Sequence, residues 1–143
     1  MMQPEGMSIY PTTLPPAEAI EQFEAIVKSM GMKIFAKIDF SIDAANVGLK
    51  LESTMLLVFG NPRVGSLLLQ ENPSVGIDLP LKALAWTADD RHWFAYDLPS
   101  FLARRHGIEQ RGIIEKMSQA LETAAHVAVV DRSKHPSKKE TEQ

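Results

Sequence analysis

Thr54–Phe59 (TMLLVF) carries no charge and is apolar on both faces, and Gly60-Asn61-Pro62 follows it at once. A strand apolar on both faces belongs in the middle of a sheet or under a helix. Asn is a strong helix N-cap and Pro fits the first helical position. The pattern therefore predicts a helix over 62–71 with Val64, Leu67 and Leu68 on its inner face. Asn72-Pro73 starts a further turn, Gly76 breaks it, and Pro80 precedes a strand over Leu81–Thr87. Strand, sharp corner, helix, loop and strand are thus dictated within Thr54–Lys82, and the remaining elements must pack around them.

Residues 1–6 read as a ragged start and Met7–Thr12 as a short strand that Pro11 confines to an edge. Pro15 and Pro16 open a helix over 15–30, where Ile20, Phe23, Val27 and Met30 recur at helical spacing and Gly31 stops it. Met32–Asp39 alternates, with Ile34, Ala36 and Ile38 expected on one face and Lys33, Lys37 and Asp39 on the other. Ser41 caps a brief helical turn over Ile42–Asn46. Ala88-Asp89-Asp90-Arg91 reads as a hairpin loop leading into the aromatic strand His92–Tyr96. Asp97 caps a helix over Pro99–His106, which ends at Gly107. A longer helix runs from about Arg111 to Val130, with Ile113, Ile114, Met117, Leu121, Ala124 and Ala128 as its stripe. The polar tail 131–143 is expected to be disordered.

This order predicts a single α+β domain over 7–130: a curved, mostly antiparallel sheet of about five strands with helices packed on one face. A chain of 143 residues with 45% hydrophobic content can bury a core without staples. It has no cysteine, which excludes disulfides, thiol catalysis and thiolate metal sites. No basic n-region precedes an apolar segment, and no apolar run approaches the ~20 residues needed to span a bilayer. A cytoplasmic location without membrane contact is the expectation.

The pieces KIFAKIDF, LLVFGNPRVGSLLLQENPSVGIDLPLKALAW and AYDLPSFLARRHGI together resemble the family called domain of unknown function 302, from about Ala17 to Val130. The resemblance implies an architecture like that of the TATA-binding protein, and a homodimer. It implies no settled activity. The family commonly places a His after the Ile-Asp of its second strand; Phe40 stands there in this chain, so no role of that His applies.

Gly60–Ser66 (GNPRVGS) has the glycine spacing of a phosphate loop, but Ser66 occupies the position where such a loop needs Lys. Nucleoside triphosphate hydrolysis is therefore not expected. A weaker anion site remains, made of the Arg63 and Val64 amides, the helix dipole and the Arg63 guanidinium. Asp78 and Lys82 flank Leu79-Pro80-Leu81, and in an extended segment positions 78, 80 and 82 share one face. No two of His92, His106, His126 and His135 have helical ligand spacing, so no metal is expected. Arg104, Arg105, His106 and Arg111 form a basic group that Glu109 and Glu115 dilute; with a net charge of -3, no nucleic-acid partner is expected.

No nucleophile beside a base is legible in the sequence, so no catalytic residue is assigned and no cofactor is expected. The reading that follows is a homodimeric binding module for a small anionic or partly apolar ligand near Asn61, Arg63, Asp78 and Lys82. Asn61 would fix the corner, Arg63 and Lys82 would balance charge, and Asp78 would orient Lys82 or a ligand donor. The alternatives are an enzyme with Asp78 as acid–base and Lys82 as electrophile, and an interaction module whose dimer face is its function.

Overall fold

The computed structural model describes residues 3–132. Among them the chain runs β1 (Met7–Thr12), α1 (Pro16–Ser29), β2 (Lys33–Asp39), α2 (Phe40–Asn46), β3 (Thr54–Gly60) and α3 (Pro62–Glu71). A 3-10 turn (Pro73–Ile77) leads to β4 (Leu81–Ala88), β5 (Arg91–Asp97), α4 (Pro99–His106) and α5 (Arg111–Ala128). The five strands form one antiparallel sheet in the order β1-β5-β4-β3-β2. This is the expected α+β class. Of the tail expected to be disordered, residues 133–143 lie outside the described part.

The apolar stripes of α1 and α5 determine where the core sits. Ala19, Ile20, Phe23 and Val27 of α1 and Leu121, Ala124, Ala125 and Ala128 of α5 are fully buried against Leu57, Phe59, Ala83, Ala85 and Phe94 of the sheet. The alanines of α5 let it lie close to α1. Phe23 sits at the centre, edge-on to Phe59 at 5.1 Å between ring centroids and 5.0 Å from Phe94, a geometry aromatic pairs favour. The end of α5 is tied down from outside the helix. Gln22 Nε2 donates to the carbonyls of Val127, Ala128 and Val130, and Thr12 Oγ1 donates to that of Val129 at 2.8 Å. Helix C-termini leave such carbonyls without partners of their own.

One expectation about β2 fails. Pairing with β3 is Ile34↔Phe59 but then Ala36↔Val58, so the register shifts at Phe35. A bulged residue inverts the facing of everything after it. Ile34 packs on the core, whereas Ala36 and Ile38 take the other face and Lys37 turns to the α1 side, where it pairs with Glu24 at 2.5 Å.

The register places Ile9, Trp93, Leu84, Trp86, Leu56, Val58 and Ile38 on the sheet face opposite α1 and α5. Residues 40–51 add further apolar exposure: Ile42, Val47 and Leu49 are 58%, 71% and 66% exposed. At the β4–β5 hairpin, Asp89 (φ 52°) and Asp90 (φ 63°) are both left-handed, as a two-residue turn matched to strand twist requires.

Candidate functional site

The corner predicted at Gly60 forms. Asn61 caps α3 with its Oδ1, which accepts from the amides of Arg63 at 2.9 Å and Val64 at 3.3 Å, while the Gly65 amide donates to the Asn61 carbonyl. The amides expected to stand open for an anion are therefore held by the protein's own asparagine. The side chain that starts the helix also closes its dipole end.

Beside this corner lies a cleft of about 550 Å³. Its walls are apolar: Met32 and Phe35 from β2 and the turn before it, Leu67 and Leu69 from α3, Leu79 and Leu81 around β4, and Ile113 and Met117 from α5. Phe35, at the β2 bulge, lines the cleft and is 45% exposed. Asn61, Arg63, Ser66 and Lys116 supply the polar lining. Arg63 and Lys116 are both exposed, so two cations border an apolar hollow. Clefts of this size and character are the usual form of small-molecule sites.

Of the four residues expected to act together, Asn61 and Arg63 line the cleft, and Asp78 and Lys82 belong to other networks. Lys82 Nζ donates to the main-chain carbonyls of Asp78 (3.3 Å) and Pro80 (2.9 Å), not to a carboxylate. Its amide donates to Asp97 Oδ1 at 3.0 Å. Burial pushes the Asp97 carboxyl up, and the Lys82 amide and charge only partly oppose this.

The Asp78 carboxylate is gripped from α4. Arg105 Nη1 donates to both carboxylate oxygens at 2.9 Å, and His106 Nε2 lies 2.5 Å from Oδ2. Burial alone would raise the Asp78 carboxyl; the His106 hydrogen bond and the Arg105 charge outweigh it and hold the group below the usual carboxylate range. The other nitrogen of the same ring, Nδ1, is 2.7 Å from Ser74 Oγ. The hydroxyl, the imidazole and the carboxylate thus form a line. His106 is 8% exposed, whereas Ser74 is at the surface. Asn72 holds the arrangement in place, donating from Nδ2 to the His106 carbonyl and accepting from the Ser74 amide at 3.1 Å.

Sequence reasoning singled out Asp78 but missed Ser74 and His106 as its neighbours. His106 lies 28 positions from Asp78 and 32 from Ser74, and only the packing of α4 against the 3-10 turn joins them. The Asn72-Pro73 turn start and the His-Gly helix end were the available signals; each is also ordinary punctuation. Among the described residues, no group of three or more His, Cys, Asp or Glu side chains could hold a metal ion.

The family model of Domain of unknown function DUF302 matches residues 9–124. The chain belongs to the DUF302 family. A solved DUF302 relative, an uncharacterized conserved protein from Bacillus stearothermophilus, superposes with a TM-score of 0.76 at 18% identity, covering 87% of this chain and 99% of that one. That likeness shows the shared fold. Two proteins named Fluoride-specific ion channel FluC 1, from Brucella suis biovar 1 and Brucella abortus biovar 1, are each 42% identical over 93 residues, or 64% of this chain. Those residues make up 37% and 34% of the two relatives, so the match spans about a third of their length. Among the described residues, no helix of this DUF302 chain is long and apolar enough to cross a membrane.

Proposed function

We propose that this DUF302 protein is a homodimeric binding module whose cleft takes a small, mainly apolar molecule bearing an anionic group. The observation that carries the reading is the combination at one site: a hollow of about 550 Å³ with aliphatic and aromatic walls, bordered by the exposed cations of Arg63 and Lys116. An apolar body gains from leaving water at roughly 25 cal/mol per Å², and the cations select a carboxylate or phosphate end. Asn61 shapes the corner. Lys82, held by two carbonyls, stiffens the approach to β4 and does not contact the ligand.

A thermal-shift screen against medium-chain carboxylates and alkyl phosphates tests it. A ligand bound only by the native state at a hundred times its Kd stabilises by about 2.7 kcal/mol. The Tm should rise with such compounds, and the rise should shrink in an Arg63→Ala, Lys116→Ala double variant. A Tm unmoved by every amphipathic anion would refute the reading.

A second reading follows from the 42% identity to proteins named fluoride-specific ion channels: the fold serves as an accessory domain in fluoride handling, with fluoride as its anion. Titration of fluoride with this chain, followed by ¹⁹F NMR, separates the two. Line broadening that Arg63→Ala abolishes supports the second reading, and an unchanged resonance at millimolar protein removes it.

A further inference from the structure

Ser74, His106 and Asp78 have the arrangement of an activated nucleophile, and none of the three lines the cleft. His106 Nε2 faces Asp78 Oδ2 at 2.5 Å, and a carboxylate can only accept. In the neutral ring that fixes the proton on Nε2 and leaves the Nδ1 lone pair toward Ser74 Oγ at 2.7 Å. Arg105 keeps Asp78 ionised with two contacts of 2.9 Å, which secures the tautomer. A nucleophile, a base within hydrogen-bond reach and a third group that orients the base are the diagnostic parts of covalent catalysis. Burial is distributed as that chemistry needs, with the base beneath the surface and the hydroxyl on it.

We propose that Ser74 is an acyl-accepting nucleophile and that this protein cleaves esters of small apolar acids. In the attacking step Oγ forms a bond to the ester carbonyl carbon while its proton passes to His106 Nδ1. Collapse breaks the bond to the leaving alkoxide, which takes that proton. Water then adds to the acyl-serine by the same route, releasing the carboxylic acid and restoring the hydroxyl. Asp78 stabilises the imidazolium formed in each half, and Arg105 is a positioning residue that acts through Asp78. The preference for an apolar acyl group comes from Ile77. In a 3-10 helix residues three apart eclipse one another, so Ile77, 74% exposed, flanks Ser74 on the same side.

The test uses the full chain with an alkyl fluorophosphonate as the covalent probe and p-nitrophenyl butyrate as the substrate. The expected result is one adduct, located at Ser74 by peptide mapping, and a burst of nitrophenol that Ser74→Ala abolishes. Labelling should slow by about a hundredfold in His106→Gln, in line with the usual contribution of a general base. If circular dichroism shows that His106→Gln is unfolded, Asp78→Asn decides, with slower labelling expected at unchanged fold. An adduct elsewhere, no adduct on the folded protein, or equal labelling rates in the deciding variant would overturn the assignment. Because the cleft is tested by Tm shifts with Arg63 and Lys116 variants, failure there and failure here are distinguishable.

Discussion

Asn61 spends both lone-pair directions of its side-chain oxygen on the amides of Arg63 and Val64. Replacing a capping Asn by Ala costs about 1 kcal/mol, so Asn61→Ala should lower the midpoint of urea unfolding by that amount without changing its slope. Two carboxyls impose opposite pH trends. The folded-state pKa of Asp78 is depressed. Its contribution is fully present above the ordinary Asp value, about 3.9, and is lost as pH falls through the lower folded value; Asp78→Asn removes that acid-side loss. The folded-state pKa of Asp97 is raised by burial. Its contribution is present below about 3.9 and declines as pH rises through the higher folded value. Asp97→Asn keeps the acceptor for the Lys82 amide, so a higher Tm at pH 7 is expected, and a fall of several degrees would contradict it. Asn61 was legible because a cap acts on amides two and three residues away. The partners of Asp78 were not, because they arrive on another helix.

Among the elements, α1 carries the fold. Phe23→Ala removes a fully buried ring from between Phe59 and Phe94 and should cost about 3–5 kcal/mol, measured by chemical denaturation. Helical periodicity located α1, α3 and α5 because each has one apolar stripe facing one layer. In β2 the same kind of reasoning misassigned half the strand. A period of two cannot show where a residue is inserted, and the register shift falls at Phe35. The cleft was half visible: the corner at Gly60 and the start of α3 were read correctly, but α5 brings Ile113, Lys116 and Met117 to it from fifty residues downstream in sequence.

For the whole molecule, the sheet face opposite the helices and the exposed side chains of residues 40–51 set the expectation about assembly. Ile42, Val47 and Leu49 stand out in water on this chain alone, and apolar patches of this kind mark interaction surfaces. A second copy is the proposed occupant. Light scattering at micromolar concentration should give twice the mass of the chain, and Leu49→Glu should weaken association by about tenfold or more with an unchanged circular dichroism spectrum. The class of the fold was readable from the order of its elements; the surface was not, since Trp86 and Trp93 look alike in sequence whether they meet core, ligand or partner. The amide of Gln22 joins the beginning of the polypeptide to its far side: one side chain on the first helix clasps three carbonyls at the finish of the last. The final turn of α5 is therefore fastened from without, and Gln22→Ala, which removes these bonds but keeps that of Thr12 to the Val129 carbonyl, should let the amides near Val130 exchange with solvent before the rest of the molecule opens.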